Sequence, residues 1–221
     1  MNNKYRSTVV NGVVVNVFGE QDLISDHIMS FNIFWENHIF DKWKQYFPDT
    51  GLMIDLGANI GNHCLMFHSN FPELDIMAFE MTFDNFDLLK INIEPYPQIT
   101  AFNVAVSDSV KIIKYDNSFN HNNGEIRIKN QGAYSNVAIT LDSLNIEEPV
   151  SFIKIDIEGH ELQAFYGMKN TLLKNKPVIW TEDFVKSGCS SEGQSFVDLL
   201  LSLGYEIVDS IESDFLLKYK E

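Results

Sequence analysis

Cationic side chains and cysteines are scarce in this sequence of 221 residues. It holds 16 lysine and arginine residues against 31 aspartate and glutamate residues, which gives a formal net charge of −15. Non-specific nucleic-acid binding depends on lysine and arginine neutralising phosphates, so this balance disfavours a nucleic-acid partner. The two cysteines, Cys64 and Cys189, form no CxxC pair and no zinc pattern. We therefore expect both to be reduced thiols in a cytoplasmic protein.

Long apolar runs are also missing. No stretch approaches the ~20 apolar residues that a membrane-spanning helix requires, and residues 1–8 do not have the pattern of a signal peptide. We therefore expect a soluble protein without a membrane partner. Hydrophobic residues nevertheless make up 45% of the chain, which is enough for a folded core and fits one domain of ordinary size.

The first 50 residues differ in pattern from the rest. Asn11-Gly12 lies between β-branched runs, which predicts a two-residue hairpin within residues 8–18. Ser25-Asp26 is typical of a helix cap, and aromatic residues at helical spacing predict one helix over residues 27–47. We expect residues 1–50 to be an extension that packs on the core. Its aromatic residues are expected to be core or a contact between copies of the chain.

Residues 51–221 alternate between short apolar strands and helices. This order predicts an α/β domain with seven strands in a mostly parallel, Rossmann-like sheet, helices on both faces and an antiparallel hairpin at the C-terminal end. An insertion over residues 107–142 interrupts the alternation, and we expect strands at 109–115 and 125–129 within it. The predicted strands of the main sheet are 52–56, 75–80, 99–104, 150–156, 177–181, 205–209 and 215–219.

The carboxyl ends of the predicted strands are the places to look for a ligand site, because open α/β sheets bind ligands there. The first end reads Asp55-Leu-Gly-Ala-Asn-Ile-Gly61, so a carboxylate takes the position of the first glycine in a dinucleotide-binding motif. Glu80 ends the second strand and can accept ribose hydroxyl groups. A carboxylate at Asp55 disfavours a pyrophosphate and favours the cationic groups of S-adenosylmethionine. A nucleotide-linked oxidoreductase is therefore the weaker alternative.

Several motifs in order resemble the FkbM family of S-adenosylmethionine-dependent methyltransferases. They are Asp55-x-Gly-Ala-Asn-x-Gly61, Phe79-Glu80, Asn103-Val-Ala-Val-Ser-Asp108, Thr140-Leu-Asp142 and Lys154-Ile-Asp-Ile-Glu-Gly-His-Glu161. The resemblance covers about residues 50–185, and Met81 departs from it because the family usually has proline there. It implies a class I methyltransferase fold, S-adenosylmethionine as cofactor, and methylation of a hydroxyl group on a sugar, glycan or small natural product. It further implies that the cofactor is bound by Asp55, Gly57, Asn59, Gly61, Glu80, Asn103 and Val104.

Methyl transfer to an alcohol needs a base or a metal ion that prepares the hydroxyl group. Asp156 ends the fourth strand and Glu182-Asp183 end the fifth, so these carboxylates are a candidate site for Mg²⁺ or another divalent cation. In the alternative, Asp156 contacts the ammonium group of the cofactor, and Glu182 and Asp183 form local hydrogen bonds or cap helices. His160 is the main candidate for a general base, and His121 in the polar loop is a weaker one. A related protein that binds the cofactor without catalysis is a further alternative.

Overall fold

The structure is a computed structural model that describes residues 4–116, 123–188 and 193–220. Its β-strands are β1 (Tyr5–Val10), β2 (Val13–Phe18), β3 (Gly51–Leu56), β4 (Leu74–Phe79), β5 (Ile99–Phe102), β6 (Ala105–Val106), β7 (Lys111–Tyr115), β8 (Tyr134–Ile139), β9 (Val150–Ile155), β10 (Val178–Glu182), β11 (Tyr205–Ile211) and β12 (Asp214–Tyr219). Its α-helices are α1 (Leu23–Phe31), α2 (Asn37–Trp43), α3 (Asn62–Asn70), α4 (Phe83–Ile93), α5 (Glu161–Asn175) and α6 (Phe196–Ser202).

Seven strands form the central sheet, in the order β11-β12-β10-β9-β3-β4-β5. Strands β10, β9, β3, β4 and β5 run parallel to their neighbours, whereas β12 pairs antiparallel with both β10 and β11. The mostly parallel sheet and its C-terminal hairpin are as the sequence predicts. Since parallel strands point the same way, the loops after β3, β4, β9 and β10 meet at one edge of the sheet.

Helices cover both faces of the sheet, as predicted. The β1–β2 hairpin and α1 to α4 pack on one face in a cluster that includes Phe40, Trp43, Phe67 and Phe152. Helices α5 and α6 pack on the other face, around residues such as Phe165. Burial of apolar side chains on both sides explains why the central strands are mostly apolar in the sequence. None of the described helices is both long and apolar enough to cross a membrane.

The N-terminal segment contains two α-helices where the sequence predicts one over residues 27–47. Helix α1 ends at Asn32, which has a left-handed backbone with φ +52°, and α2 begins after Glu36, with φ +60°. Between them Phe34 turns into the core, where it is fully buried. The expected cap at Ser25-Asp26 is also wrong, because Asp22 caps α1 by accepting the backbone N–H of Ser25 at 3.0 Å. Two consecutive left-handed caps break the helix despite its apolar spacing.

The insertion and the short strand β6 before it form a small three-stranded sheet in the order β6-β8-β7. Strand β7 confirms the predicted strand over 109–115. The strand predicted at 125–129 is wrong, because only Lys129 makes a bridge there, to Lys114. The antiparallel partner of β7 is β8 instead, in a register that places Ile112 opposite Val137. Strand β8 has little alternation of apolar and polar residues, so periodicity gives no indication of it.

Candidate active site

A cavity of about 340 Å³ lies at the carboxyl edge of the sheet. This volume falls in the range of small-molecule binding sites. Its walls come from the loops after β3, β4, β9 and β10, from the N-terminal segment, and from residues 123–128 of the insertion. The strand ends predicted from the sequence as a ligand site therefore border one cavity.

The loop after β3 requires glycine at two positions. Gly57 has φ +86°, and a Cβ atom there would lie 1.7 Å from the carbonyl oxygen of Asp156. Gly61 has φ +88° and begins α3, where a Cβ atom would lie 2.8 Å from Leu89 Cδ1. Gly57 and Asn59 line the cavity, whereas Gly61 does not. Gly57 thus brings the loop against the end of β9.

Glu80 lies at the cavity wall with most of its acceptor positions in use. Its Oε2 accepts the backbone N–H of Asn59 at 2.9 Å, and its Oε1 accepts the N–H and hydroxyl of Thr82 at 2.7 and 2.8 Å. Burial raises the pKa of Glu80, while the bonds from Thr82 and Asn59 oppose that rise. Asn103 does not line the cavity. Its Nδ2 donates to the backbone carbonyl oxygen of Glu80 at 2.8 Å and so holds the backbone of Glu80 in place.

Val104 and Met81 complete the wall near Glu80. Met81 stands where the resembled family has proline, and its carbonyl oxygen accepts a 2.7 Å bond from Asn136 Nδ2. The insertion thereby holds the loop after β4 through a side-chain contact. Although Met81 departs from the family motif, the loop after β4 still lies at the cavity wall.

Asp55 is buried behind the loop after β3 and does not reach the cavity wall. Its Oδ2 accepts the thiol of Cys64 at 3.2 Å, and its Oδ1 is buried with no hydrogen-bond partner among the described residues. Cys64 is a free, buried thiol. Burial raises the pKa of this thiol, and the charge of Asp55 raises it further. The other cysteine, Cys189, lies outside the described residues.

Lys154 is a buried cation that the sequence analysis gave no role. In the sheet, Lys154 on β9 lies opposite Asp55 on β3. Its side chain is 2% exposed, and its Nζ lies 3.0 Å from Asp156 Oδ2. Burial would lower its pKa, but Asp156, Glu36 and Asp55 raise it above the ordinary value. A lysine inside the apolar run of a central strand is a sequence feature that could have indicated this ion pair.

Glu36 brings the N-terminal segment to the same group of charges. Its Oε2 lies 2.9 Å from Nε2 of His63 at the start of α3, and both residues line the cavity. Burial alone would raise the Glu36 pKa, but the bond from His63 and the charge of Lys154 lower it to about 2. The sequence contains no periodic or motif feature that indicates this contact.

The turn after β9 aims a further carboxylate at the cavity. Glu158 has a left-handed backbone with φ +55° and is followed by Gly159 with φ +91°. Glu161 Oε1 holds this turn by accepting the N–H groups of Ile157 and Gly159 at 3.3 and 3.1 Å. A left-handed backbone at a residue other than glycine is strained, and such strain is common at functional sites.

Three carboxylates on the cavity wall repel one another. Burial, together with the charges of Asp156 and Glu182, raises the pKa of Glu158 to about 8. Burial and Asp156 likewise raise the pKa of Glu182 to about 7. Arg127 opposes the shift at Glu158, with its Nη2 at 3.6 Å from Glu158 Oε2. Glu158 and Glu182 are therefore groups that exchange protons near neutral pH.

The expected metal ligands are not arranged as a metal site. Asp183 caps α6 instead: its carboxylate accepts bonds from Ser195 Oγ at 2.7 Å and from the N–H groups of Val197 and Lys186 at 2.8 Å. Asp156 is paired with Lys154. In the described part of the chain, no three His, Cys, Asp or Glu side chains are grouped so that they could hold a metal ion. The residues present do not fit the predicted Mg²⁺.

His160 lines the cavity at the start of α5. Its Nε2 lies 2.8 Å from Ser107 Oγ, and burial, with a smaller contribution from Lys111, lowers its pKa to about 4. The ring is therefore neutral at pH 7, and burial is the main cause. The weaker candidate, His121, lies outside the described residues.

Comparison with known proteins identifies the family. The sequence model described as the methyltransferase FkbM domain matches residues 55–207, which contain the strand ends described above. The chain belongs to the FkbM methyltransferase family. The chemistry of this family implies S-adenosylmethionine as methyl donor. Hexuronic acid methyltransferase AglP from Haloferax volcanii is 30% identical over 129 residues. That match covers 56% of this chain and 52% of the relative, so the chain spans about half the length of this relative.

Solved structures show the same fold. The FkbM methyltransferase from Methylobacillus flagellatus superimposes with a TM-score of 0.58 at 18% identity, covering 78% of this chain and 44% of the other. A candidate caffeoyl-CoA O-methyltransferase from Staphylococcus aureus superimposes with a TM-score of 0.53 at 13% identity, covering 84% and 82%. The chain therefore has the class I methyltransferase fold that the sequence predicts.

Proposed function

We propose that this member of the FkbM family is an S-adenosylmethionine-dependent methyltransferase that transfers a methyl group to a hydroxyl oxygen of a sugar. The observation that carries the proposal is the charge at the carboxyl edge of the sheet. The buried cation Lys154 lies 3.0 Å from Asp156, and the charges of Glu36 and Asp55 also act on it, so the group carries an excess of negative charge. This excess suits a ligand with sulfonium and ammonium groups and disfavours a phosphate-bearing one.

The residues of the cavity fit such a cofactor. The backbone of Gly57 and Asn59 is open to the methionine part, Glu80 is close enough to the wall to accept from a ribose hydroxyl, and Val104 offers an apolar contact to adenine. Asp55 does not line the cavity, so in this proposal its buried carboxylate acts on the cofactor through its charge. In this proposal Gly61 and Asn103 act indirectly, by shaping the two loops.

When bound, S-adenosylmethionine supplies the methyl group, which moves to the acceptor oxygen while the sulfur keeps the electron pair of the broken bond. The chain must then take up the hydroxyl proton. His160 is the base expected from the sequence, and Glu158 is a second candidate that the structure adds. Glu158 has the pKa nearer to neutrality and lies on the strained turn at the cavity. Asp156 holds Lys154 and adds to the repulsion that keeps Glu158 basic.

The proposed acceptor is a glycan hydroxyl, and the relative named for hexuronic acid favours an acidic sugar. Arg127 offers a cation for the sugar carboxylate, since its partly exposed side chain lines the cavity. Magnesium has no part in the proposed reaction, because Asp183 is occupied as a helix cap. The predicted contact between copies through the N-terminal segment stays a prediction.

The test combines binding with turnover. S-adenosylhomocysteine should raise the melting temperature of the wild-type protein, because a ligand that binds only the folded state stabilises it. Glu80→Gln should remove most of this shift, whereas Glu73→Gln, at an exposed position next to β4, should keep it. A methyl group should appear on a hydroxyl of a uronic-acid glycoside. Binding without transfer to any sugar would favour the non-catalytic alternative, and binding of NAD in place of S-adenosylhomocysteine would favour an oxidoreductase.

A further inference from the structure

The cavity has two halves that the strand order separates. Strands β3, β4 and β5 lie on one side and carry the proposed cofactor contacts Asn59, Glu80 and Val104. Strands β9 and β10 lie on the other side, and residues at or just after their ends, among them Glu182 and Phe184, form a separate part of the wall. If the cofactor occupies the first half, as proposed above, the second half is open to the acceptor.

Trp35 comes to this cavity from the N-terminal segment. Its backbone N–H donates to Asn62 Oδ1 at 2.8 Å, and its carbonyl oxygen accepts from Asn62 Nδ2 at 3.2 Å. Its indole Nε1 donates to Glu36 Oε1 at 3.1 Å, and Glu36 in turn is held by His63. Both the backbone and the ring of Trp35 are therefore fixed, although the side chain is only half-buried.

Glu36 shows which half of the cavity this tryptophan borders. Its Oε2 lies 2.9 Å from His63 Nε2, and the His63 ring packs edge-on against Trp180 of β10, with the ring centroids 5.3 Å apart. Glu36 and the adjoining Trp35 thus lie toward β9 and β10, on the side of Phe184. The Phe184 ring is 44% exposed and lines the same cavity.

We infer that the N-terminal segment completes the acceptor subsite, in which the apolar face of a sugar ring lies against Trp35 and Phe184 and a sugar hydroxyl donates to Glu182. Aromatic rings bury the C–H face of a ligand and lose little conformational freedom in doing so. Ser213 Oγ donates to Glu182 Oε1 at 2.7 Å, which leaves Oε2 outside that bond for a hydroxyl group. Glu36 is a positioning residue, because it acts on the sugar through Trp35. This inference rests on the proposed function.

Tryptophan fluorescence can test the subsite directly. The chain has 3 tryptophans, and the other two, Trp43 and Trp180, are fully buried. Acrylamide quenching of the full chain therefore reports mainly on Trp35. In the presence of S-adenosylhomocysteine, methyl β-D-glucuronide should protect the wild-type protein from quenching. In Trp35→Phe, the part of the fluorescence quenching that the sugar prevents should be absent. Methyl β-D-glucoside tests whether a neutral sugar protects as well.

Kinetics provide the second measurement. Trp35→Ala and Phe184→Ala should each raise KM for methyl β-D-glucuronide about 10-fold, since truncation of a buried aromatic contact commonly costs more than ~1 kcal/mol of binding. Both variants should keep the wild-type affinity for S-adenosylhomocysteine, which shows that they fold. Tyr166→Ala removes an aromatic ring that is 58% exposed on α5 and outside the cavity wall, and it should leave KM unchanged.

The outcomes separate this inference from the proposed function. The subsite alone would be overturned by the following result. The wild-type protein binds S-adenosylhomocysteine and methylates the glucuronide, but the sugar does not protect Trp35 and both alanine variants keep the wild-type KM. Wild-type protein that neither binds S-adenosylhomocysteine nor transfers a methyl group would overturn the proposed function and the subsite together. Protection of Trp35 with raised KM in both variants would support the inference.

Discussion

Removal of the buried cation Lys154 tests how the charges behind the cavity are balanced. Its Nζ lies 3.0 Å from Asp156 Oδ2 and its side chain is 2% exposed. At this distance and an effective dielectric constant of ~20, the attraction is ~5 kcal/mol. Lys154→Met keeps most of the side-chain volume but leaves Asp156, Glu36 and Asp55 without a cation. Breaking a buried ion pair in this way typically costs ~3–5 kcal/mol of the free energy of unfolding.

Thermal unfolding at pH 7 measures this loss. In a chain of 221 residues, each kcal/mol corresponds to a change of ~2–4 °C in Tm, so Lys154→Met should lower Tm by ~6–20 °C. The matched control is Lys90→Met, which breaks a 3.1 Å pair with Asp87 in which both side chains are more than half exposed. Exposed pairs contribute ~0–1 kcal/mol, so the control should change Tm by no more than ~4 °C. Equal effects of the two substitutions would refute the reasoning.

Four further predictions concern the loops, the base and the metal. Gly57→Ala should cost ~1–3 kcal/mol more than Gly12→Ala, because both positions have φ near +85° but only Gly57 faces the Asp156 carbonyl oxygen; urea unfolding measures the difference. Glu158→Gln should lower kcat by a factor of ~10²–10⁴ and His160→Gln by much less; the opposite ranking would identify His160 as the base. Folding raises the pKa of Glu158 from 4.5 to about 8, so the contribution of Glu158 to stability falls as the pH rises through this range. A plot of Tm against pH should therefore fall less steeply for Glu158→Gln than for the wild-type protein. EDTA should leave methyl transfer unchanged, and activity lost to EDTA and restored by Mg²⁺ would contradict the absence of a metal from the reaction.

The sheet could be predicted from the sequence because its central strands are buried on both faces. Mostly apolar runs such as Leu52-Met-Ile-Asp-Leu56 allow few other structures, and the C-terminal hairpin follows from two strands without a helix between them. The break in the N-terminal helix could not be predicted in this way. It depends on Trp35, whose backbone bonds to Asn62, 27 residues later in the chain. Tertiary contacts of this kind override the apolar spacing of a single segment.

The candidate site was predictable where motifs carry it and not where charges meet in space. Gly57 and Glu80 line the cavity and Gly61 lies in a loop that forms it, because the strand ends share one edge of the sheet. The same reasoning failed for Asp183, because the direction of a side chain after a strand depends on the next helix, here on the bonds to Ser195 and Val197. The electrostatic interaction between Glu36 and Lys154 links the N-terminal segment to β9, and local sequence contains no information on it.

In the proposed reaction, S-adenosylmethionine bound in the cavity would give its methyl group to a sugar hydroxyl. Mass spectrometry of methyl β-D-glucuronide after incubation with the full chain and S-adenosylmethionine tests this claim most directly. We predict a product heavier by one methylene unit, with the methyl group located on a ring hydroxyl oxygen by NMR and with S-adenosylhomocysteine formed in equal amount. Unchanged sugar, or S-adenosylhomocysteine formed without a methylated sugar, would contradict this prediction.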